Sequence, residues 1–222
     1  MTDYQTALQS KRLSLFGRAG LSLIGLLCIG VTIAALRYVA PGMPGAAVTV
    51  AANAFAMPYL PVHAGFGALA LLIGPLQFLP GLRRRRVRLH RTIGVTYWLA
   101  CFVSGGAGLA LAFGSTAGPI ATAGFGLLAI AWITTTAMGA VAVLRGRFLD
   151  HRRWMIRSFT LTFAAVTLRL LLPVAFFVEL DFQTWYLAVS FLCWVPNLVF
   201  AEIYILSTEG GVQNQPASRS AG

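Results

Sequence analysis

Six stretches of about 20 residues with almost no charge run through this chain, and its cations are packed into the short segments between them. That alternation leaves few folds open. An apolar run of this length crosses a bilayer as an α-helix, because a helix satisfies its own backbone hydrogen bonds in hydrocarbon. The runs are 19–38, 61–82, 93–113, 119–144, 154–177 and 185–206. They predict an all-α bundle of six transmembrane helices, forming one membrane domain over 19–207 between tails at 1–18 and 208–222. A composition of 58% apolar and 10% charged residues, with mean hydropathy +0.77, excludes a water-soluble domain of this size.

Two basic runs fix the expected orientation. Arg83-Arg84-Arg85-Arg86-Val87-Arg88-Leu89-His90-Arg91 follows the second run, and Arg145-Gly146-Arg147 through His151-Arg152-Arg153 follows the fourth. Of the 17 Lys and Arg, all but Arg37 and Arg169 then fall on one side, together with both termini. Cations concentrate on the cytoplasmic side, so both tails are expected there. The net charge of +11 suits anionic lipid headgroups rather than nucleic acid, since it lies in short loops and not on one folded basic face. Arg83, Arg84, Arg85, Arg86, Arg152 and Arg153 are the expected headgroup contacts. The first run, without a small-residue cleavage site behind it, reads as a retained helix. Residues 41–61 are uncharged and proline-rich, and predict a short interfacial helix around 46–57, beside His63.

Cysteine carries no chemistry that can be read from spacing. Cys28, Cys101 and Cys193 sit singly in three different runs, so no protein metal site is expected beyond any haem iron. No phosphate loop, serine elbow or intramembrane carboxylate pair occurs, which leaves conventional hydrolysis and phosphoryl transfer without residues and the question of enzyme activity open.

Polar residues inside the runs are where function concentrates. At about 100° per residue, His151, Ser158, Thr162 and Arg169 fall within about 40° of one another on the fifth run. His63, Gly67, Ala70, Gly74, Gln77 and Gly81 share a face of the second, as do His90, Gly94, Tyr97, Cys101, Ser104 and Gly108 of the third. Each such face turns toward protein or water. Close packing of small residues accounts for the glycines. Arg169 asks for more, because a guanidinium in a span costs at least about 2.5–3.5 kcal/mol on insertion scales. His63, Gln77, Glu179 and Asp181 are its candidate neighbours, either around a bound molecule or as a plain arginine–carboxylate clasp.

His90 and His151 form a second constellation, each opening an outward-running helix at the basic end. They would hold a haem b between two imidazoles, the one cofactor the histidine inventory allows, or else cap helix starts and meet lipid phosphate.

The segments His63-Ala-Gly-Phe-Gly with Gly74-Pro75-Leu76-Gln77-Phe78, His90-Arg91-Thr-Ile-Gly94-Val-Thr-Tyr97, and His151-Arg152-Arg153-Trp154-Met155-Ile-Arg157-Ser158 followed by Arg169 resemble the bacterial membrane-protein family catalogued as domain of unknown function 2306. The resemblance covers roughly 61–206. It implies a multi-span membrane protein, in the cytoplasmic (inner) membrane of a bacterium, and supplies no reaction. The functional expectation is therefore a membrane redox protein (haem b or quinone-linked) or a ligand-binding scaffold using buried His and Arg. The alternatives are a small-solute or ion transporter with a polar site at Arg169 and His63, or a structural scaffold. A further copy or a partner membrane subunit fits any of these readings.

Overall fold

The computed structural model describes residues 15–40, 42 and 52–213. Among them six helices are long and apolar enough to cross a membrane: Ala19–Tyr38, Ala56–Phe78, Val87–Phe113, Pro119–Leu144, Phe148–Phe177 and Phe182–Thr208. Their elements are α1 (Leu15–Ala35), α2 (Ala56–Ile73), α3 (Pro80–Arg85), α4 (Val87–Phe113), α5 (Pro119–Leu144), α6 (Phe148–Thr162), α7 (Ala164–Leu171), α8 (Val174–Phe177), α9 (Phe182–Leu192) and α10 (Val195–Gln213), with 3-10 turns at Leu36–Tyr38 and Pro75–Phe78. Large apolar side chains face outward from several of them. Leu26, Ile33, Val95, Phe200 and Leu206 are each at least 60% exposed. A belt of that kind belongs in hydrocarbon, and the chain is an integral membrane protein.

The helices overrun the apolar runs. α4 begins at Val87 rather than at 93, and α6 at Phe148 rather than at 154. Hydropathy marks only where side chains turn apolar, whereas the backbone continues its hydrogen bonds into the headgroup layer, carrying Arg88, His90, His151 and Arg152 as helical residues. Prolines end helices. Pro75 has no N–H to donate, so α2 stops at Ile73 and the chain tightens into the 3-10 turn before α3. Pro173 separates α7 from α8 in the same way. Of the interfacial helix expected over 46–57, residues 46–51 lie outside the described residues, residues 52–55 form no helix, and Ala56 and Met57 already belong to α2.

The sixth span is interrupted at Cys193–Trp194. Pro196 cannot donate to the carbonyl one turn back, and beside it Asn197 Nδ2 donates to the Cys193 carbonyl at 3.1 Å and to the Thr160 carbonyl at 3.2 Å, and lies 3.0 Å from Thr167 Oγ1. The Cys193 and Thr160 carbonyls are thus satisfied inside the bundle, as hydrocarbon requires. At the end away from the arginines, Asn53 Nδ2 donates to the Leu111 carbonyl at 2.8 Å, tying the entry of α2 to the end of α4.

In the bundle α2 packs on α4, α4 on α5 and α5 on α6, with α1 against α2, α9 against α5 and α10 against α6. The three polar or small faces read from the sequence all point inward: Ala70, Tyr97, Cys101, Ser104 and Ser158 are at most 1% exposed, and Thr162 4%. Arg157 reaches across to α10 in a two-bond pair with Glu202, at 2.6 and 2.7 Å, and lies over the Trp154 ring.

Candidate functional site

His63 is built in by its neighbour helix. Its Nδ1 lies 2.9 Å from the Ser104 backbone carbonyl, while Ser104 Oγ donates to the His63 carbonyl at 2.8 Å. A carbonyl only accepts, so Nδ1 carries the proton and the ring is held in one tautomer, with the lone pair on Nε2 when neutral. α2 and α4 come this close because Gly67 and Gly108 face each other's partners. A Cβ on Gly67 would stand 3.0 Å from Ser104 Oγ, and one on Gly108 would stand 2.8 Å from His63 Nδ1.

The ring borders a cavity of about 370 Å³, enclosed between the spans and reaching the loops at the end away from the arginines. Its walls are largely Leu, Ala and Gly from α2, α4, α5, α6 and α7. The polar side chains on them are His63, Thr162, Trp132, Arg169, Tyr38 and Tyr186, with Asn53, Ser115, Thr116, Gln183 and Cys193 completing the lining. Arg169 donates Nη1–H to the Ala165 carbonyl of its own helix at 2.9 Å, and no carboxylate pairs with it among the described residues. Its remaining N–H groups have no protein acceptor there. Tyr38 and Arg37 lie within its electrostatic reach, as does His63.

Behind the cavity wall lies a closed hydroxyl network. Trp132 Nε1 donates to Thr162 Oγ1 at 2.9 Å; Tyr97 Oη lies 2.7 Å from Thr162 Oγ1 and 3.1 Å from Ser158 Oγ; Ser158 Oγ lies 2.7 Å from Thr136 Oγ1. The end hydroxyls of Thr162 and Thr136 discharge into the Ser158 and Trp132 carbonyls, at 3.0 and 2.7 Å. A chain of hydroxyls whose ends are committed to backbone acceptors holds helices together rather than passing protons.

The remaining residues read from the sequence are dispersed. Gln77 lies at the arginine-rich end, its Nε2 3.5 Å from the His90 carbonyl, away from His63. Asp181 is exposed and caps α9, accepting from Thr184 N and Thr184 Oγ1 at 2.8 Å each; those bonds, the backbone one first, hold its carboxyl below the usual carboxylate range. Glu179 is exposed, at φ 51° past the end of α8. Neither carboxylate pairs with Arg169. His151 Nδ1 donates to the Gly139 carbonyl at 2.8 Å, and His90 Nδ1 is buried with no partner among the described residues. The two imidazoles lie within electrostatic reach of each other, but neither lines the cavity. Arg83 sits beside Arg152 and Arg84, and burial with those like charges pushes its guanidinium down. Arg152 stacks over Tyr204, and Arg153 meets Asp150 at 3.0 Å.

Trp132 and Thr136, and the Ser104 carbonyl that sets His63, were not singled out from the sequence. Trp132 and Thr136 stand four apart, but Thr134 and Thr135 beside them spread hydroxyls around the helix and mark no single face; the carbonyl leaves no sequence signal at all. A family model described as a predicted membrane protein, DUF2306, matches residues 60–205. The chain belongs to this family. No curated protein and no solved structure matches it. The region shared with DUF2306 holds His63, Trp132, Thr162, Arg169 and Tyr186, whereas Arg37, Tyr38 and the α1 wall of the cavity lie before it.

Proposed function

We propose that this DUF2306 protein binds a small amphipathic molecule carrying an anionic head, taken into the bundle with the head at Arg169 and the apolar body against the leucines of α2, α5 and α7. One observation carries the reading: Arg169, partly buried, borders a cavity of about 370 Å³ and has no carboxylate partner among the described residues. A desolvated guanidinium is stable beside an anion, and its planar fork suits a carboxylate or phosphate. The cavity volume falls in the range of small-molecule sites, about 300–1,000 Å³.

The arginine distribution supports an orientation with both tails and both basic loops in the cytoplasm of a bacterium, and the cavity opening outward. Arg83 to Arg86, Arg152 and Arg153 then meet anionic headgroups. Reporter fusions after Arg88 and after Ser115 test it: the first is expected to behave as cytoplasmic and the second as exported. Carriage of the bound molecule is a second reading, favoured by the helix breaks at Pro173 and Cys193–Trp194 that flank the cavity.

Calorimetric titration of octanoate, with neutral octanol as comparator, into protein held in nanodiscs tests the binding reading. Empty nanodiscs supply the baseline. Arg169→Gln is expected to weaken octanoate by about tenfold or more, a loss of about 1.4 kcal/mol, and to leave octanol unchanged. Equal octanoate affinity in the two proteins would remove the proposal.

A further inference from the structure

We infer that the anion enters this cavity together with one proton, so that the ligand is a weak organic acid bound as anion plus proton, with His63 Nε2 as the proton site. The inference rests on the binding reading above and adds the chemical class of the ligand.

The tautomer is set before any ligand arrives. Ser104 presents a carbonyl to Nδ1 and spends its hydroxyl proton on the His63 carbonyl, so the ring proton sits on Nδ1 and Nε2 keeps its lone pair. Nε2 has no hydrogen-bond partner among the described residues, and the residue borders the cavity. Facing the same space are Arg169 from α7, Tyr38 from the end of α1, Tyr186 from α9 and the thiol of Cys193 just past it, while α4 sets Ser104 and Gly108 against the ring. No carboxylate lines the cavity.

In the empty site the Arg169 guanidinium borders the same cavity as the ring, and its charge opposes a second cation there. A carboxylate that docks on Arg169 has acceptor oxygens only. Beside an Nε2 lone pair they repel; beside Nε2–H they form a charge-assisted bond. The arriving anion also cancels the guanidinium field that opposes a proton on Nε2. Whether the proton then resides on Nε2 or on the acid oxygen, the net uptake is one proton from solvent per anion, and the occupied cavity gains no net charge in either case. Transfer of a neutral pair into an apolar cavity avoids the cost of burying an extra unpaired charge.

The test is octanoate titration into the nanodisc-held protein from pH 6 to 9, repeated at pH 8 in phosphate and in Tris, whose ionisation heats differ. The expected result is uptake of one proton per octanoate and an affinity that falls about tenfold per pH unit on the alkaline side, with octanol flat across the range. His63→Gln is expected to bind octanoate weakly with no proton uptake. Wild-type binding with buffer-independent heat would overturn the coupling and leave the binding reading standing; uptake that persists in His63→Gln would overturn the role of His63. No octanoate binding at any pH would overturn both. The wild-type buffer comparison decides the coupling even if the variant fails to fold.

Discussion

Gly108 holds the site open, and replacing it by alanine is the sharpest perturbation of the architecture. The added Cβ would stand 2.8 Å from His63 Nδ1 and 3.0 Å from Cε1. Carbon contacts settle near about 3.5 Å, so the ring has to retreat by roughly 0.7 Å. It has no slack in which to do so, because Nδ1 is bonded at 2.9 Å to the Ser104 carbonyl, and the same retreat carries that bond out of range. Overpacking of this kind costs about 1–3 kcal/mol, and losing the bond about 0.5–1.5 kcal/mol more. The better helix propensity of alanine returns at most about 1 kcal/mol, leaving a net loss near 2 kcal/mol. For a chain of this size that is a fall of roughly 4–8 °C in Tm by the scaling of soluble proteins. Gly106 is the control two residues away: it is exposed, and a Cβ there meets nothing within 4 Å. Thermal unfolding in detergent is expected to show Gly106→Ala unchanged or slightly raised and Gly108→Ala lowered, with octanoate affinity lost in step. Equal melting temperatures for the two variants would refute the claim that Gly108 seats the histidine.

Tyr97→Phe removes the fully buried hydroxyl that joins Thr162 and Ser158, and is expected to destabilise by about 1–2 kcal/mol in denaturant titration, since intramembrane bonds average about 0.6 and reach about 1.7 kcal/mol each; an unchanged midpoint would show that the network re-forms without it. A double-mutant cycle on Arg157→Ala and Glu202→Ala is expected to give a coupling of only about 0.5–1 kcal/mol, because the two side chains are 20% and 42% exposed; a coupling of several kcal/mol would place the pair in a drier setting than its exposure indicates. Asp181 has a lowered carboxyl pKa from its bonds to Thr184, so the α9 cap is in place above the unfolded carboxylate value of about 3.9 and is lost as pH falls through the lower folded value. Protection of the Thr184 amide against exchange is expected to drop across that acid window in wild type and to be low throughout in Asp181→Ala; protection that ignores both would show that the cap does not hold the helix start.

Much of this molecule was written locally. Six runs of hydrocarbon-spanning length made six helices, since in lipid the backbone has no other way to satisfy itself, and the positions of Pro75, Pro173 and Pro196 marked where they break. The period of 3.6 residues likewise put Ser158 and Thr162, Tyr97 and Ser104, and Ala70 on inward faces before any contact was known. Periodicity fixes which side of a helix is polar but carries no information on how far one helix slides or turns against the next. That was left to packing. It gave His63 a backbone carbonyl 41 residues away as its partner, moved Gln77 to the opposite end of the bundle and spent Asp181 on a helix cap. It also drew Trp132 and Thr136 into a network that no spacing announced. Arg169 shows the division most plainly: its insertion cost demanded a partner from the sequence alone, and the tertiary structure supplied a carbonyl on its own helix and an open cavity in place of a carboxylate, because Glu179 and Asp181 are exposed past the end of α8 and Glu202 is taken by Arg157.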